Sequence, residues 1–395
     1  MPYCGSSCIL NQIRRRGKRG GIIKFTRKLR DLKGIKPEEA KELEKVTEKY
    51  EFKINEYYKS LINFNDPADP LRRLVIPDMH ELDTGGVLDP SNESKYTKMQ
   101  GLQHKYPSTA LLLVSTDCAG ICRYCFRKRI FMRRGGDGVK DYKAAFGYIR
   151  KHTEIQNVLL TGGDPLQLST AKLASILREL RAINHVGIIR IGTKMAAFYP
   201  DRIIEDKKLL ALIKRYSTKD KRIYIMTHFD HVREITPKAV KAASMLIGAG
   251  AILANQTPII TGINDKPEVL ADLFTKLSYI GISPYYVFQC RPTSANMAYA
   301  VPLERSYVIF EKARTMVSGL AKTARLVMST SAGKIHVIGL TDKEIILKFF
   351  RAAKHSDSGR LMIFKRNKNA YWLDDYSEVK KDIKLFKGLD KYGPD

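Results

Sequence analysis

Beyond residue 106, short apolar runs alternate with longer stretches in which apolar residues recur every three to four positions. The runs are ALLLVS (110–115), NVLLTG (157–162), GIIRIGT (187–193), RIYIMTH (222–228), AILANQT (251–257) and PYYVFQC (284–290). Their length, their β-branched content and the Gly, Asn and Thr around them predict strands. Stretches such as STAKLASILRELRAI (169–183) and TPKAVKAASMLIGAG (236–250) carry the helical period. Six alternations predict an α/β fold of parallel strands linked by crossover helices. The repeat is about 30–35 residues and no GxGxxG follows the first run, which favours a partial (β/α)6 barrel over a dinucleotide-binding sheet. Upstream, KPEEAKELEKVTEKYEFKINEYYKS (36–60) predicts helix and NDPADPLRRLVIP a connection. The chain thus divides into a basic tail (1–33), a helical N-terminal extension (34–105), the barrel (106–328) and a small C-terminal extension (329–395).

Composition adds a compartment and a surface. A hydrophobic content of 44% is that of a chain with a real core. No apolar run approaches the roughly 18 residues that cross a bilayer, and the start lacks a signal-peptide core. With only six cysteines, a reducing, cytoplasmic setting and no membrane partner are expected. The formal charge is +28, and nine Lys/Arg with no acid stand in residues 1–30. Most of the rest is dispersed over polar helix faces, where it makes a solvated surface that binds polyanions non-specifically at low salt. No aromatic-interleaved RNA motif accompanies it.

Three of the six cysteines lie in TDCAGICRYCFRKR (116–129), as Cys118, Cys122 and Cys125 in a C-x3-C-x2-C pattern after the first strand. A structural zinc site takes four protein ligands and a disulfide framework takes pairs. Three thiolates instead suit a [4Fe–4S] cluster with one iron left open for a ligand that is not protein. In a barrel, functional groups gather at the C-terminal ends of strands. There the sequence places the cysteines, Gly162-Gly163-Asp164, Thr193-Lys194, His228, Asn255-Gln256 and Gln289-Cys290-Arg291. In STSAGKIHVIG (329–339), Gly333-Lys334 fails as a phosphate loop, because Met328 and Ile335 replace the required Gly and Ser/Thr. A lysine on a turn over the barrel mouth can form an imine with pyridoxal phosphate, although residue type alone favours a surface lysine.

Taken in order, DPADPLRRLVIP, GLQHKYPSTALLLVSTDCAGICRYCFRKR, LLTGGDPLQLS, LRAINHVGIIRIGTK, THFDHVREIT, LANQTPIITGINDKP, PYYVFQC and SAGK resemble the lysine 2,3-aminomutase family of radical S-adenosylmethionine (radical SAM) enzymes over roughly residues 50–340. The resemblance implies a radical SAM barrel, an isomerase that shifts an amino group from C2 to C3, and three cofactors: a [4Fe–4S] cluster, S-adenosylmethionine and pyridoxal 5′-phosphate. It implies Cys118, Cys122 and Cys125 as cluster ligands, Lys334 as the imine lysine and Arg127 on the substrate α-carboxylate. It also implies Gly162, Gly163, Asp164 and Gln256 at S-adenosylmethionine. A free amino acid, a one-electron donor of the flavodoxin or ferredoxin kind and a homo-oligomeric state belong to the same expectation.

The departures redirect the substrate. Two aspartates that grip the lysine side chain in the family are replaced by Arg291 and by Val327 or Met328. The phosphate-binding arginine before the first strand is Thr109, leaving Lys105 as its substitute, and a zinc-binding cysteine is Lys266, so no zinc is expected. Cys4 and Cys8 in the basic tail are read as adventitious. An acidic, glutamate-like substrate is therefore expected. The alternatives are a radical SAM enzyme that modifies RNA and a non-enzymatic iron–sulfur nucleic-acid-binding protein.

Overall fold

A computed structural model describes residues 23–83, 85–132 and 136–379; Cys4, Cys8 and most of the basic tail lie outside them. The helix expected over 36–60 is broken in two. It runs Pro37–Lys49, then Phe52–Asn55 are extended and buried before a four-residue helix Glu56–Lys59. Burial of Phe52 and Ile54 outweighs the helical preference of their neighbours, as tertiary context commonly does. Two short strands, β1 (Phe25–Thr26) and β2 (Ile54–Asn55), pair antiparallel beside it.

One sheet of twelve strands holds most of the rest. It opens with β3 (Thr97–Met99) and β4 (Leu102–Tyr106), so the segment expected as a helical extension also supplies edge strands. Then come β5 (Thr109–Ser115), β6 (Asn157–Gly162), β7 (Ile188–Thr193), β8 (Ile223–Thr227), β9 (Ile252–Pro258), β10 (Ser283–Phe288) and β11 (Arg325–Ser329). These seven are parallel in sequential order, the six expected strands plus β11. Antiparallel β12 (Gly333–Leu340), β13 (Glu344–Ala352) and β14 (Leu361–Lys365) finish it. The sheet is continuous across residues 105/106 and 328/329. Crossover helices start where the sequence carries caps: Asp141, Ser169, Asp206 and Thr236 each accept a hydrogen bond from the backbone N–H three residues on. Among the described residues no helix is long and apolar enough to cross a membrane.

Alternation along the strands separates wall from cavity. Leu112, Val158, Leu160, Ile189, Ile191, Ile223 and Ile225 are buried between sheet and helices. Their neighbours Leu111, Leu159, Thr161, Arg190, Gly192 and Met226 line one cavity of about 270 Å³. A single cavity touched by every strand from β4 to β13 requires the sheet to curl into a partial barrel. The two ends of the curl meet through side chains. Ser91 Oγ donates to Ser329 O (3.2 Å), Tyr96 Oη to Ser331 O (2.8 Å) and Lys105 Nζ to Thr330 O. Arg351 on β13 donates to Ser108 Oγ (2.8 Å) and Thr109 Oγ1 (2.7 Å) at the start of β5.

Candidate active site

The loop after β5 carries Cys118, Cys122 and Cys125 as free, half-buried thiols. Residues of the N-terminal extension fix its path. Ile121 N donates to Lys53 O (3.0 Å), Asn55 Nδ2 to Ala119 O (2.8 Å) and Arg123 N to Leu74 O (2.9 Å). Between the cysteines, the buried Arg123 guanidinium donates from Nε and Nη2 to Glu81 at 2.9 and 2.7 Å. Burial pushes all three thiols upward; Asp164 and the other two thiols add to this for Cys118, Asp230 and Cys125 for Cys122, whereas Lys194 opposes it at Cys122 and Arg127, Lys128 and Arg129 oppose it at Cys125. Thiols crowded on eight residues and costly to ionise alone form a donor set that fits a cationic metal centre.

The turn Gly162-Gly163-Asp164 packs against this loop and does not line the cavity. Gly162 has φ +116°, and a Cβ there would lie 2.2 Å from Ser115 O; one on Gly163 would lie 2.4 Å from Asp117 O. Both glycines are demanded by close approach of backbone to backbone. The Asp164 carboxylate is spent internally, accepting from Thr193 Oγ1 (2.7 Å), Lys194 N (2.9 Å) and Leu166 N (2.9 Å). With its carboxylate so engaged, Asp164 holds the turn expected at S-adenosylmethionine in place against β7. Three other polar residues at strand ends are structural too. Thr193 bonds Asp164, Lys194 is held by Asp230 and Glu234 (both 2.7 Å), and Asn255 pairs with the backbone of Phe229. A buried polar group at a strand end satisfies the barrel rule and is nonetheless packing.

Gln256, Arg127, Arg291, Lys105 and Lys334 do face the cavity. Lys334 is the second residue of β12 rather than part of the turn, and its amine lies 4.2 Å from the centre of the Tyr286 ring. Its exposed area is cavity wall. Burial, and the nearby charges of Arg190, Arg291, Arg351 and Lys105, hold its pKa well below the ordinary lysine value. A lowered pKa eases loss of the proton, and an unprotonated amine beside the cavity can attack a carbonyl carbon, which fits the aldehyde of pyridoxal phosphate.

Arg127 is neutralised, with Nη2 on Glu93 Oε1 (2.9 Å) and Nη1 on Thr161 Oγ1 (3.2 Å). Glu93 also pairs with Arg129, and the two guanidiniums hold its carboxyl far below the usual range. Arg291 differs. It stacks 3.8 Å from the Phe126 ring centre, Nη1 is buried without a partner, and no carboxylate pairs with it among the described residues. Burial draws its pKa down to about 10. Lys105, pulled down to about 8 by burial and Arg291, donates to Thr330 O. His228, brought down to about 4 by burial, is a neutral wall of the cavity at neutral pH.

Sequence reasoning missed Glu93, Arg190 and Arg351. Arg190 left a signal, a charge at a cavity-facing position of the otherwise apolar run GIIRIGT. Glu93 and Arg351 left none, because their partners are 34 and 242 residues away in the chain.

Residues 107–241 match the family described as 4Fe-4S single cluster domain. The chain is 50% identical over 366 residues, covering 92% of it and 98% of the relative, to "Putative L-lysine 2,3-aminomutase" of Aquifex aeolicus. It is 34% identical over 326 residues (80% of this chain, 75% of the relative) to the L-lysine 2,3-aminomutase of Fusobacterium nucleatum. It is 33% identical over 294 residues (74% and 68%) to the glutamate 2,3-aminomutase of Clostridioides difficile.

Proposed function

The chain belongs to the lysine 2,3-aminomutase family of radical S-adenosylmethionine enzymes, and we propose that it moves the amino group of a carboxylate-bearing α-amino acid from C2 to C3. As an iron–sulfur aminomutase it is an isomerase. When bound, the cluster with S-adenosylmethionine would supply hydrogen abstraction from an unactivated carbon, and pyridoxal phosphate a π system for the migrating nitrogen.

The chain's own residues do the rest. Cys118, Cys122 and Cys125 hold the cluster at the C-terminal mouth, on a loop braced by Lys53, Asn55 and Arg123. Lys334, its pKa lowered by burial and nearby cations, would hold the cofactor through its aldehyde carbon. Gln256 lines the cavity and would face S-adenosylmethionine, and Arg127, oriented by Glu93 and Thr161, would border the substrate's α-carboxylate. Walls of Leu111, Leu159, Met226, Tyr286 and Phe288 exclude water, which protects open-shell species from quenching.

Arg291 carries the choice of substrate. A desolvated guanidinium with an unpartnered donor asks for an acceptor, and a side-chain carboxylate gives a charge-assisted pair. A lysine ammonium about 4 Å away would be repelled by roughly 4 kcal/mol at an effective dielectric near 20, several hundredfold in affinity. The cavity as a whole agrees: Lys105, Arg127, Arg190, Arg291 and Arg351 face it against one carboxylate, Glu93. The test is anaerobic turnover of lysine, glutamate and a neutral amino acid in competition, repeated with Arg291→Asp. Glutamate is expected to be converted fastest by the wild type, and the variant to shift toward lysine. Faster formation of β-lysine than of any acidic or neutral β-amino acid by the wild type overturns the assignment.

A further inference from the structure

Near the starts of β5 and β6 the cavity wall holds two guanidiniums that have no carboxylate partner among the described residues. Arg190 points inward from the middle of β7, and its Nε donates to Asn157 Oδ1 (2.9 Å) at the first residue of β6. Arg351 reaches the same end from β13, its Nη2 bonded to Ser108 and Thr109. Thr109 and Asn157 are register partners on adjacent strands, so the two arginines are anchored side by side. Arg351 is also the register partner of Lys334, which puts guanidinium and amine on one face of neighbouring strands. Each guanidinium keeps donors free of protein acceptors, and both line the cavity. Two unneutralised cations fixed in the cavity wall, one of them paired in register with Lys334, are costly to keep unless an anion joins them.

We infer that Arg351, with Arg190 beside it, seats the phosphate of pyridoxal phosphate. The inference rests on the proposed function, which places the cofactor's aldehyde at Lys334. The residue expected for this task, Lys105, donates to Thr330 O and lies 5.1 Å from the Tyr96 ring centre, so its amine is engaged in closing the sheet. Ser108 and Thr109 are too short to reach a phosphate alone but hold Arg351 in place. An arginine from the C-terminal sheet thus occupies the space left by Thr109, and its planar fork suits a phosphate better than an ammonium does.

The test separates the phosphate from the rest of the cofactor. Pyridoxal phosphate and pyridoxal, which lacks the phosphate, are titrated into cofactor-free enzyme, and binding is read from absorbance and from borohydride-fixed label on Lys334. Wild type is expected to favour the phosphorylated form strongly. Arg351→Ala should cut that preference roughly 10- to 100-fold, the span of one charge-assisted pair, while pyridoxal binds as before. Arg351→Gln removes the charge while leaving a polar side chain on β13 and should lose the preference equally. If both variants retain wild-type preference, or weaken both ligands alike, the phosphate is held elsewhere and the inference is overturned. If wild type labels no Lys334 with either ligand, the proposed function itself fails, an outcome distinct from the others.

Discussion

Lys334 shares its cavity with Lys105, Arg190, Arg291 and Arg351, and that crowd decides its protonation. In the unfolded chain its amine keeps a proton up to about 10.5; in the fold it releases the proton at lower pH. Between those values the unfolded chain binds more protons, so this residue's contribution to stability grows as pH rises and is lost as pH falls through the folded value. The chemical consequence is readier attack. An ordinary lysine gains nucleophilic fraction tenfold per pH unit below its pKa, whereas a neutral Lys334 gains little. Imine formation by cofactor-free enzyme, followed by stopped-flow absorbance, should therefore change less than about threefold between pH 7.5 and 9. A tenfold rise per unit would mean a charged resting lysine. Much at this scale was legible beforehand. Cys118, Cys122 and Cys125 declare themselves by spacing, and Arg291 by replacing an expected acid. Asp164 caps the turn after β6, a role its residue type suggested, and Arg351 was silent because only folding brings it to Thr109.

The cysteine loop shows what an element needs from its neighbours. Nothing in its own composition gives it regular structure; its shape is set by Lys53, Asn55 and Leu74 on one side and by the Gly162-Gly163 turn on the other. The broken helix has the same origin, because Phe52 to Asn55 serve as a brace for the loop and cannot stay helical. Helical pattern was readable over residues 37–49, but the demand of a loop some 65 residues onward was not. Strand positions were readable because both faces of each are buried or face one cavity, which leaves a clear apolar run. A methyl on Gly163 would meet Asp117 O at 2.4 Å and push the start of the loop outward. Gly163→Ala should lower iron bound on anaerobic reconstitution by more than half, with far-UV circular dichroism unchanged. Full iron content in that variant would show that the loop tolerates the shift.

Over the whole molecule, the strength of the closure is uneven. From β3 to β14 every neighbouring pair of strands shares a backbone ladder, yet the curled ends are joined by Ser91, Tyr96, Lys105 and Arg351 side chains. Such bonds open singly, without the cooperative loss of a ladder. Amides of residues 97–99 and 330–333 should exchange with deuterium well before those of β6 to β9, and pyridoxal phosphate should slow them at least tenfold. Equal protection throughout, with or without ligand, would mean the ends are as firm as the ladder. The alternation along β5 to β10 was enough to foresee a curled parallel sheet; how its ends meet was not, since the contacts join residues more than 220 apart. A barrel laced shut in this way has a door as well as a mouth. A ligand entering sideways between β4 and β12 would trade a few of these stitches for its own contacts, so that loading and latching become one event.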